Sequence, residues 1–541
     1  MNNEIMNILE IYPDYQDAIF RRGYLITSKV LDNLDSYPFY NNWNSASCGS
    51  LNNGLEVNVY YHKLQHFYTY EVEGITASLI GHAYNPFDMK YQETEILKDC
   101  IEAYLKDEKA FFSKVSELTG IHLIILNDKN RLIFVQDCSG MKSCYFGKVK
   151  EDIYVTSHPQ LVGDICNLKY DTFVKKLVNS RSYNIGNRHL PGNITPFREL
   201  KRLGGNTYVE YEKSFNINRF YPIIPHADVT TDEQFDKGIE EIVNILHRNI
   251  QLTTKKWQKP AISLSGGTDS KTTLACAHGL YENFSYFSFH CKPQEEVDAA
   301  AAHSICKQIG INHTIHSIPE KNDEIKDFDV LKKIINHNTS YFMNLSDHEI
   351  RKMIFLSQMN SFDIELKSWV SEIGRCSLER RYGIKMPEVL TERHFSIFQT
   401  RYFLTPNLLK QSDLIYKKYL REIDLEFPLY NFEHTDLFHW EVRLSAWGTS
   451  VVSAFDFCHD VTMPFNNRRL IELLLNFPHE DRKRGNVHNA IIKRANSRIY
   501  DLNITITNDY SKSYRQKLEQ VYYLYRTAYK RNKRLSTNKK K

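Results

Sequence analysis

Through the first 215 or so residues, apolar and polar positions alternate in short runs bounded by Gly, Asn and Asp, the period-two pattern of half-buried strands. The runs at 54–61, 69–79, 121–126, 132–136 and 153–157 are predicted as strands. Two stretches, 93–105 and 109–118, instead space their apolar residues three and four apart and are predicted as helices. At 223–232 the run Ile-Ile-Pro-His-Ala-Asp-Val-Thr-Thr-Asp breaks both periods and carries proline, so it reads as a linker. Beyond it the pattern changes. Residues 235–252 form a helical repeat with Ile239, Ile242, Val243 and Leu246 on one face. Apolar runs at 261–264 and 284–290 then alternate with helical stretches at 271–280 and 295–310. Strand and helix in alternation imply a parallel sheet. From about 325 the chain reads as mostly helical, without internal repeats.

At 541 residues the chain is long enough for two to four domains, and 42% hydrophobic with 13% aromatic content makes it globular. A net charge of only +4 argues against a dedicated nucleic-acid binder. The basic clusters at 530–534 and 539–541 read first as a solvated tail, and a role in touching anionic partners is the lesser reading. The ten cysteines form no Cys-x-x-Cys pair, which speaks against a zinc ribbon, an iron–sulfur site or a thioredoxin-like pair. They read as buried thiols in a reducing cytoplasm. No signal peptide and no run of 18 apolar residues is evident, so a cytoplasmic protein without membrane contact is expected. His303, His313 and His316 have no metal spacing, and Trp440 and Trp447 read as packing residues.

Residues 262–275, Ile-Ser-Leu-Ser-Gly-Gly-Thr-Asp-Ser-Lys-Thr-Thr-Leu-Ala, carry the chemistry. A buried strand that opens through glycines onto a helix start makes an anion site, because the first helical N–H groups lack partners and the dipole is positive there. Asp269 adds a carboxylate suited to a magnesium ion bridging phosphates. The spacing is not that of a Gly-x-x-x-x-Gly-Lys-Ser/Thr loop. A plain Gly-Gly turn is the bland alternative. The spelling Ser265-Gly266-Gly267-Thr268-Asp269-Ser270 resembles the pyrophosphate loop of the N-type ATP pyrophosphatases, which split ATP into AMP and pyrophosphate.

A second constellation narrows the resemblance. Residues 120–145 give two strands about a polar turn, then Asp137-x-x-Gly140-x-x-x-x-Tyr145, followed by Val155-Thr156-Ser157-His158. This is similar to the later part of the glutaminase domain of asparagine synthetase B. With the loop, the chain resembles the asparagine synthetase superfamily, which includes β-lactam synthetases and lasso-peptide cyclases. Trp369-Val370-Ser371-Glu372-Ile373-Gly374-Arg375 looks like a divergent form of the family's Ser-Gly-Glu-Gly-(Ser/Ala)-Asp-Glu loop. Glu441-Val442-Arg443 and Met463-Pro464-Phe465-Asn466-Asn467 resemble late segments that pack beside its ATP pocket.

The resemblance implies two domains. A degenerate Ntn-hydrolase-like αββα sandwich (1–222) is followed by a linker (223–234), an adenine-nucleotide α-hydrolase-like parallel sheet with a helical C-terminal part (235–525), and a basic tail (526–541). Three departures qualify it. Residue 2 is Asn2, where the family's glutaminase has its nucleophilic cysteine, so no glutaminase activity is expected; exposure of an internal nucleophile such as Cys48 is the minor alternative. Arg375-Cys376-Ser377 replaces the Asp-Glu that follows the family's first glutamate, so Arg375 either clamps pyrophosphate or the segment has lost its role. The family's late lysine has no equivalent in register, which leaves Lys493 as the candidate.

The implied chemistry is activation of a small-molecule or peptide carboxylate by ATP with Mg2+ on Asp269, then attack by an amine or ammonia. Leu264, Ser265, Gly266, Gly267, Thr268, Asp269, Ser270 and Ser288 are expected to bind the nucleotide, and Glu372, Arg375 and Lys493 to act in catalysis. An AMP-forming amide ligase leads. An intramolecular amide or lactam cyclase and a catalytically inactive regulatory relative stay open, as does a homodimer. A tRNA-modifying enzyme is disfavoured by the charge balance.

Overall fold

In the computed structural model, residues 2–425, 429–504, 506 and 514–538 are described. The alternating pattern of the first 220 residues folds into two six-stranded antiparallel sheets. Their facing sides share one core, with Ile26, Val57 and Val59 from one sheet against Leu123, Ile125 and Phe134 from the other. The outer face of the second sheet is covered by the helices Glu93–Lys106 and Glu108–Ser116 through Ile96, Ile101, Phe111 and Val115. Helices Asn2–Ile11, Pro159–Ile165 and Thr172–Val178 cover the first. The result is four layers, helix–sheet–sheet–helix, with each strand's period of two feeding two cores.

One predicted strand is two. The run at 69–79 is a hairpin, Phe67–Val72 paired with Ile75–Tyr84. Glu73 and Gly74 turn it at φ of 51° and 75°, the left-handed pair that a two-residue hairpin requires. Cys48 lies buried between the sheets, and burial pushes its thiol up to about 12, so it offers no thiolate. All ten cysteines are free thiols.

The linker is irregular up to Thr231, whose hydroxyl and the Gln234 side chain cap each other's backbone N–H groups. That capping box starts the helix Asp232–Lys256 three residues ahead of the predicted position. Next comes a five-stranded, wholly parallel sheet. Its spatial order is Thr314–Ser317, Ser285–His290, Pro260–Ser263, Ile364–Leu366, Val461–Thr462. The last two strands fall in the stretch that was expected to be mostly helical. Among the described residues no helix is long and apolar enough to cross a membrane. The final helix, Tyr514–Asn538, runs through position 526, where the tail was expected to begin. The side chains of the basic cluster 530–534, and all of 539–541, lie outside the described residues.

Polar groups buried in a seam join the two units. Asp137 accepts the N–H groups of Ser139, Met141 and Lys142 and the Asn466 amide at 2.9 Å. Glu441, fully buried, takes Arg219 in a bidentate pair and Asn206 at 3.0 Å. Thus the Glu-Val-Arg and Pro-Phe-Asn segments, expected beside the ATP pocket, place Glu441 and Asn466 in the seam. Arg468, also fully buried, donates to Asn206 and to the carbonyls of Gln136 and Asp137. Arg468→Met leaves those carbonyls unpaired and is expected to cost about 3 kcal/mol. Chemical denaturation followed by tryptophan fluorescence measures the loss.

Candidate active site

The strand Pro260–Ser263 is the middle strand of the parallel sheet: the chain first builds outward from it on one side, through Ser285–His290 and Thr314–Ser317, then returns to add Ile364–Leu366 and Val461–Thr462 on the other. The loop that leaves its carboxyl end therefore stands at a switch point, where open α/β sheets bind ligands. From there the chain enters the helix Thr268–Cys276, whose N-cap, Gly267, supplies no side-chain cap. The helix start is thus left to an incoming anion. Ser270 Oγ receives the Ser265 N–H at 3.3 Å and pairs with Ser265 Oγ at 3.0 Å, while Gly267 N–H donates to Ser265 Oγ at 3.3 Å. The loop is shaped by its own serines. Gly266 is required for space: a Cβ there would lie 2.5 Å from Ile506 Cδ1 and 2.9 Å from Ala301 Cβ.

A cavity of 580 Å³ opens beside the loop. Leu264, Ser265, Asp269, Ser270, Ser288 and Glu372 line it, so six of the expected residues face one space. Gly266, Gly267 and Thr268 form the turn and the first helical residue behind them. Ser288 Oγ donates to Leu264 O at 2.6 Å and meets His313 Nε2 at 2.9 Å, fixing the loop's first carbonyl to the neighbouring strand.

Asp269 is not an open metal ligand. Arg375 Nη1 donates to its Oδ2 at 2.7 Å, and the Ser371 hydroxyl donates to its Oδ1. Among the described residues no group of three or more His, Cys, Asp and Glu side chains is placed to hold a metal ion. Each Asp269 oxygen already accepts one hydrogen bond, so a Mg2+ ion bound there would share the carboxylate with the Arg375 guanidinium. Arg375 correspondingly sits on Asp269 and does not line the cavity.

The segment that carries Ser371 and Glu372 is strained. Val370, a β-branched residue, holds φ at 80° directly before them and is fully buried. Such a conformation costs about 1–3 kcal/mol and is kept only where packing dictates it. Burial, together with the nearby Asp269 carboxylate, pushes the Glu372 carboxyl up to about 7, against the opposing charge of Arg443. An acid that titrates near neutrality in a cavity is suited to move protons.

Lys493 is exposed, with its ammonium 5.7 Å from the Tyr500 ring, and is absent from the cavity lining. The residue of the helix Asn486–Ala495 that faces the loop is His488, fully buried, with Nε2 4.0 Å from Asp269 Oδ1. Burial pushes His488 down to about 4, so it is neutral. Lys493 lies five positions on from His488, about 140° around the helix, so the two point to different sides. Lys367, Trp369 and Lys352 also line the cavity and were not expected.

Residues 259–368 match the family model described as Queuosine biosynthesis protein QueC. That match supports a PP-loop ATP pyrophosphatase unit there. It covers about a fifth of the chain and ends before Glu372. No curated protein matches the chain. Among 32 matching chains of solved structures is glutamine phosphoribosylpyrophosphate amidotransferase from B. subtilis complexed with ADP and GMP. It is 7% identical over 75% of this chain and 76% of that one, with a TM-score of 0.22. Glutamine-dependent NAD+ synthetase from Acinetobacter baumannii, in complex with ADP, is 11% identical over 45% of this chain and 41% of that one, with a TM-score of 0.18. NH3-dependent NAD synthetase from Campylobacter jejuni is 14% identical over 36% of this chain and 98% of that one, also at 0.18.

Proposed function

We propose that the chain is an AMP-forming amide ligase of the asparagine synthetase type that activates a carboxylate with ATP. One observation carries this reading. The Ser265–Ser270 loop, at the switch point of a parallel sheet, and a glutamate titrating near neutrality open into the same cavity. ATP would lay its β- and γ-phosphates against the uncapped start of the helix Thr268–Cys276. A carboxylate oxygen of the acid attacks the α-phosphorus, the bond from that phosphorus to the bridging oxygen breaks, and pyrophosphate leaves toward the loop N–H groups. Fixed donors aimed at developing charge supply the acceleration. An amine then attacks the acyl carbon, AMP leaves, and the Glu372 carboxylate takes the amine's proton. Mg2+ belongs to this scheme as the counter-ion that ATP brings on its phosphates, and no step depends on Asp269 binding it.

The amine is supplied as such, since the buried Cys48 thiol is no nucleophile for releasing ammonia from glutamine. The test is exchange of labelled pyrophosphate into ATP across a panel of carboxylic acids. Acid-dependent exchange supports the reading, and none with any acid favours a non-catalytic relative. A need for a separate amine distinguishes a ligase from an intramolecular cyclase.

A further inference from the structure

The two ends of the cavity differ in chemistry. One end is the phosphate loop. The other is a wall of Met343, Met353, Val451, Ala454 and Phe455, continuous with one apolar core. Lys367 stands in the cavity between these ends, and the sheet register sets its place. Ile262 is paired with Leu366, so Lys367 leaves its strand one residue past that pairing, level with Ser263 and beside the loop.

The surroundings of Lys367 fix where it points. Its Nζ lies 2.6 Å from Glu365 Oε1, and the other Glu365 oxygen is 2.5 Å from His459 Nε2. Burial alone would raise the Glu365 carboxyl, yet the Lys367 ammonium and the His459 ring hold it down to about 2. The ammonium stands 4.6 Å from the Phe455 ring centre and 5.4 Å from that of Trp369, which is itself stacked on Trp447. An ammonium has three donors. Among the described residues Glu365 is the one acceptor that the Lys367 ammonium hydrogen-bonds. A buried lysine–glutamate pair is poor value for stability alone, because an apolar residue of similar volume avoids the desolvation of two charges. The other cavity lysine, Lys352, is bound to Glu295, which also receives the Cys291 N–H and His348.

We propose that Lys367 is a substrate-positioning residue that receives the carboxylate of the acid to be activated, and that this acid carries an apolar body, which rests on the aromatic and aliphatic wall. The inference deepens the adenylation reading and depends on it. The acid's anionic head meets Lys367 next to the loop, within reach of the α-phosphate that the loop presents, while its body lies along Phe455, Val451 and Met353. Small polar acids such as aspartate leave that wall unfilled and bring a second charge against it.

The test uses the full chain loaded with α,β-methylene-ATP, titrated calorimetrically with phenylacetate and separately with L-aspartate. The wild-type chain is expected to bind phenylacetate more tightly than aspartate. Lys367→Met is expected to weaken phenylacetate by about tenfold or more while nucleotide affinity stays within about twofold, since one charge-assisted bond is lost at the acid alone. Lys367→Arg recovers part of the loss. Should Lys367→Met not fold, Phe455→Ala decides, with phenylacetate weakened and nucleotide unaffected. Equal phenylacetate affinity in wild type and Lys367→Met, a preference for aspartate, or no acid binding by the nucleotide-loaded chain overturns the inference and leaves the nucleotide reading standing. No binding of the nucleotide itself defeats the adenylation reading, and this inference with it.

Discussion

Asp269→Ala is expected to lower acid-dependent ATP–pyrophosphate exchange by about 10²–10³-fold, the size of losing a fixed electrostatic element at a transition state. The reason is local. Asp269 lies in the first turn of the helix Thr268–Cys276 and is tied to Arg375 at 2.7 Å and to the Ser371 hydroxyl. Its removal frees the guanidinium and loosens the strained turn that presents Glu372. Stability should change by about 0–1 kcal/mol, because the Asp269–Arg375 pair is partly exposed and such pairs contribute little. Asp269→Asn keeps an acceptor for Ser371 but not the ion pair, and is expected to fall between alanine and wild type. Exchange kinetics paired with thermal unfolding separate the two effects. Unaltered exchange in Asp269→Ala would remove the loop from the chemistry.

Glu372→Gln is expected to spare exchange and block transfer to the amine. Transfer needs the carboxylate, and with Glu372 pushed up to about 7 its ionised fraction falls about tenfold per pH unit below that point. Log rate of amide formation should therefore rise with unit slope up to about pH 7 and then level, and the variant should lose that slope along with the activity. Stability runs the other way. The folded-state value lies above the ordinary 4.5, so between the two the folded chain binds more protons than the unfolded one. The stabilisation is complete below 4.5 and is lost as pH rises through about 7. Glutamine is neutral throughout, so the variant should be more stable than wild type at pH 8, by up to about 3 kcal/mol. Denaturation at pH 5 and pH 8 reads the sign directly.

What could be read from the chain follows from the range of the forces involved. Alternation and glycine chemistry are local, so Glu56–His62, Thr119–Asn127, Leu132–Gln136 and Asp152–Thr156 of the sandwich, and the Ser265–Ser270 turn, were legible from neighbouring residues. The hairpin at Glu73-Gly74 was merged into one strand because alternation runs on through a two-residue turn. Ile364–Leu366 and Val461–Thr462 were missed because they are three and two residues long and buried on both sides. Glu365, a carboxylate in the first of them, argues against a core strand until Lys367 and His459 are seen beside it. The pairing of Arg375 with Asp269 spans 106 positions and has no local signal. Lys493 was chosen for its charge, while the burial of His488 in the same helix leaves only a faint mark in the apolar spacing.

The continuous helical stretch from His434 to Phe455 has a widened, π-helical middle, Phe438–Gly448. Its Trp440 donates to Cys138 O and its Glu441 grips Arg219, both in the antiparallel half of the molecule. About three turns further along, Val451, Ala454 and Phe455 form the apolar wall of the cavity. The first half therefore serves as a foundation whether or not it retains any chemistry of its own. A fragment beginning after the linker would keep the Ser265–Ser270 loop yet lose the anchorage of the wall opposite it, so the two units are expected to be inseparable in any preparation that retains the cavity.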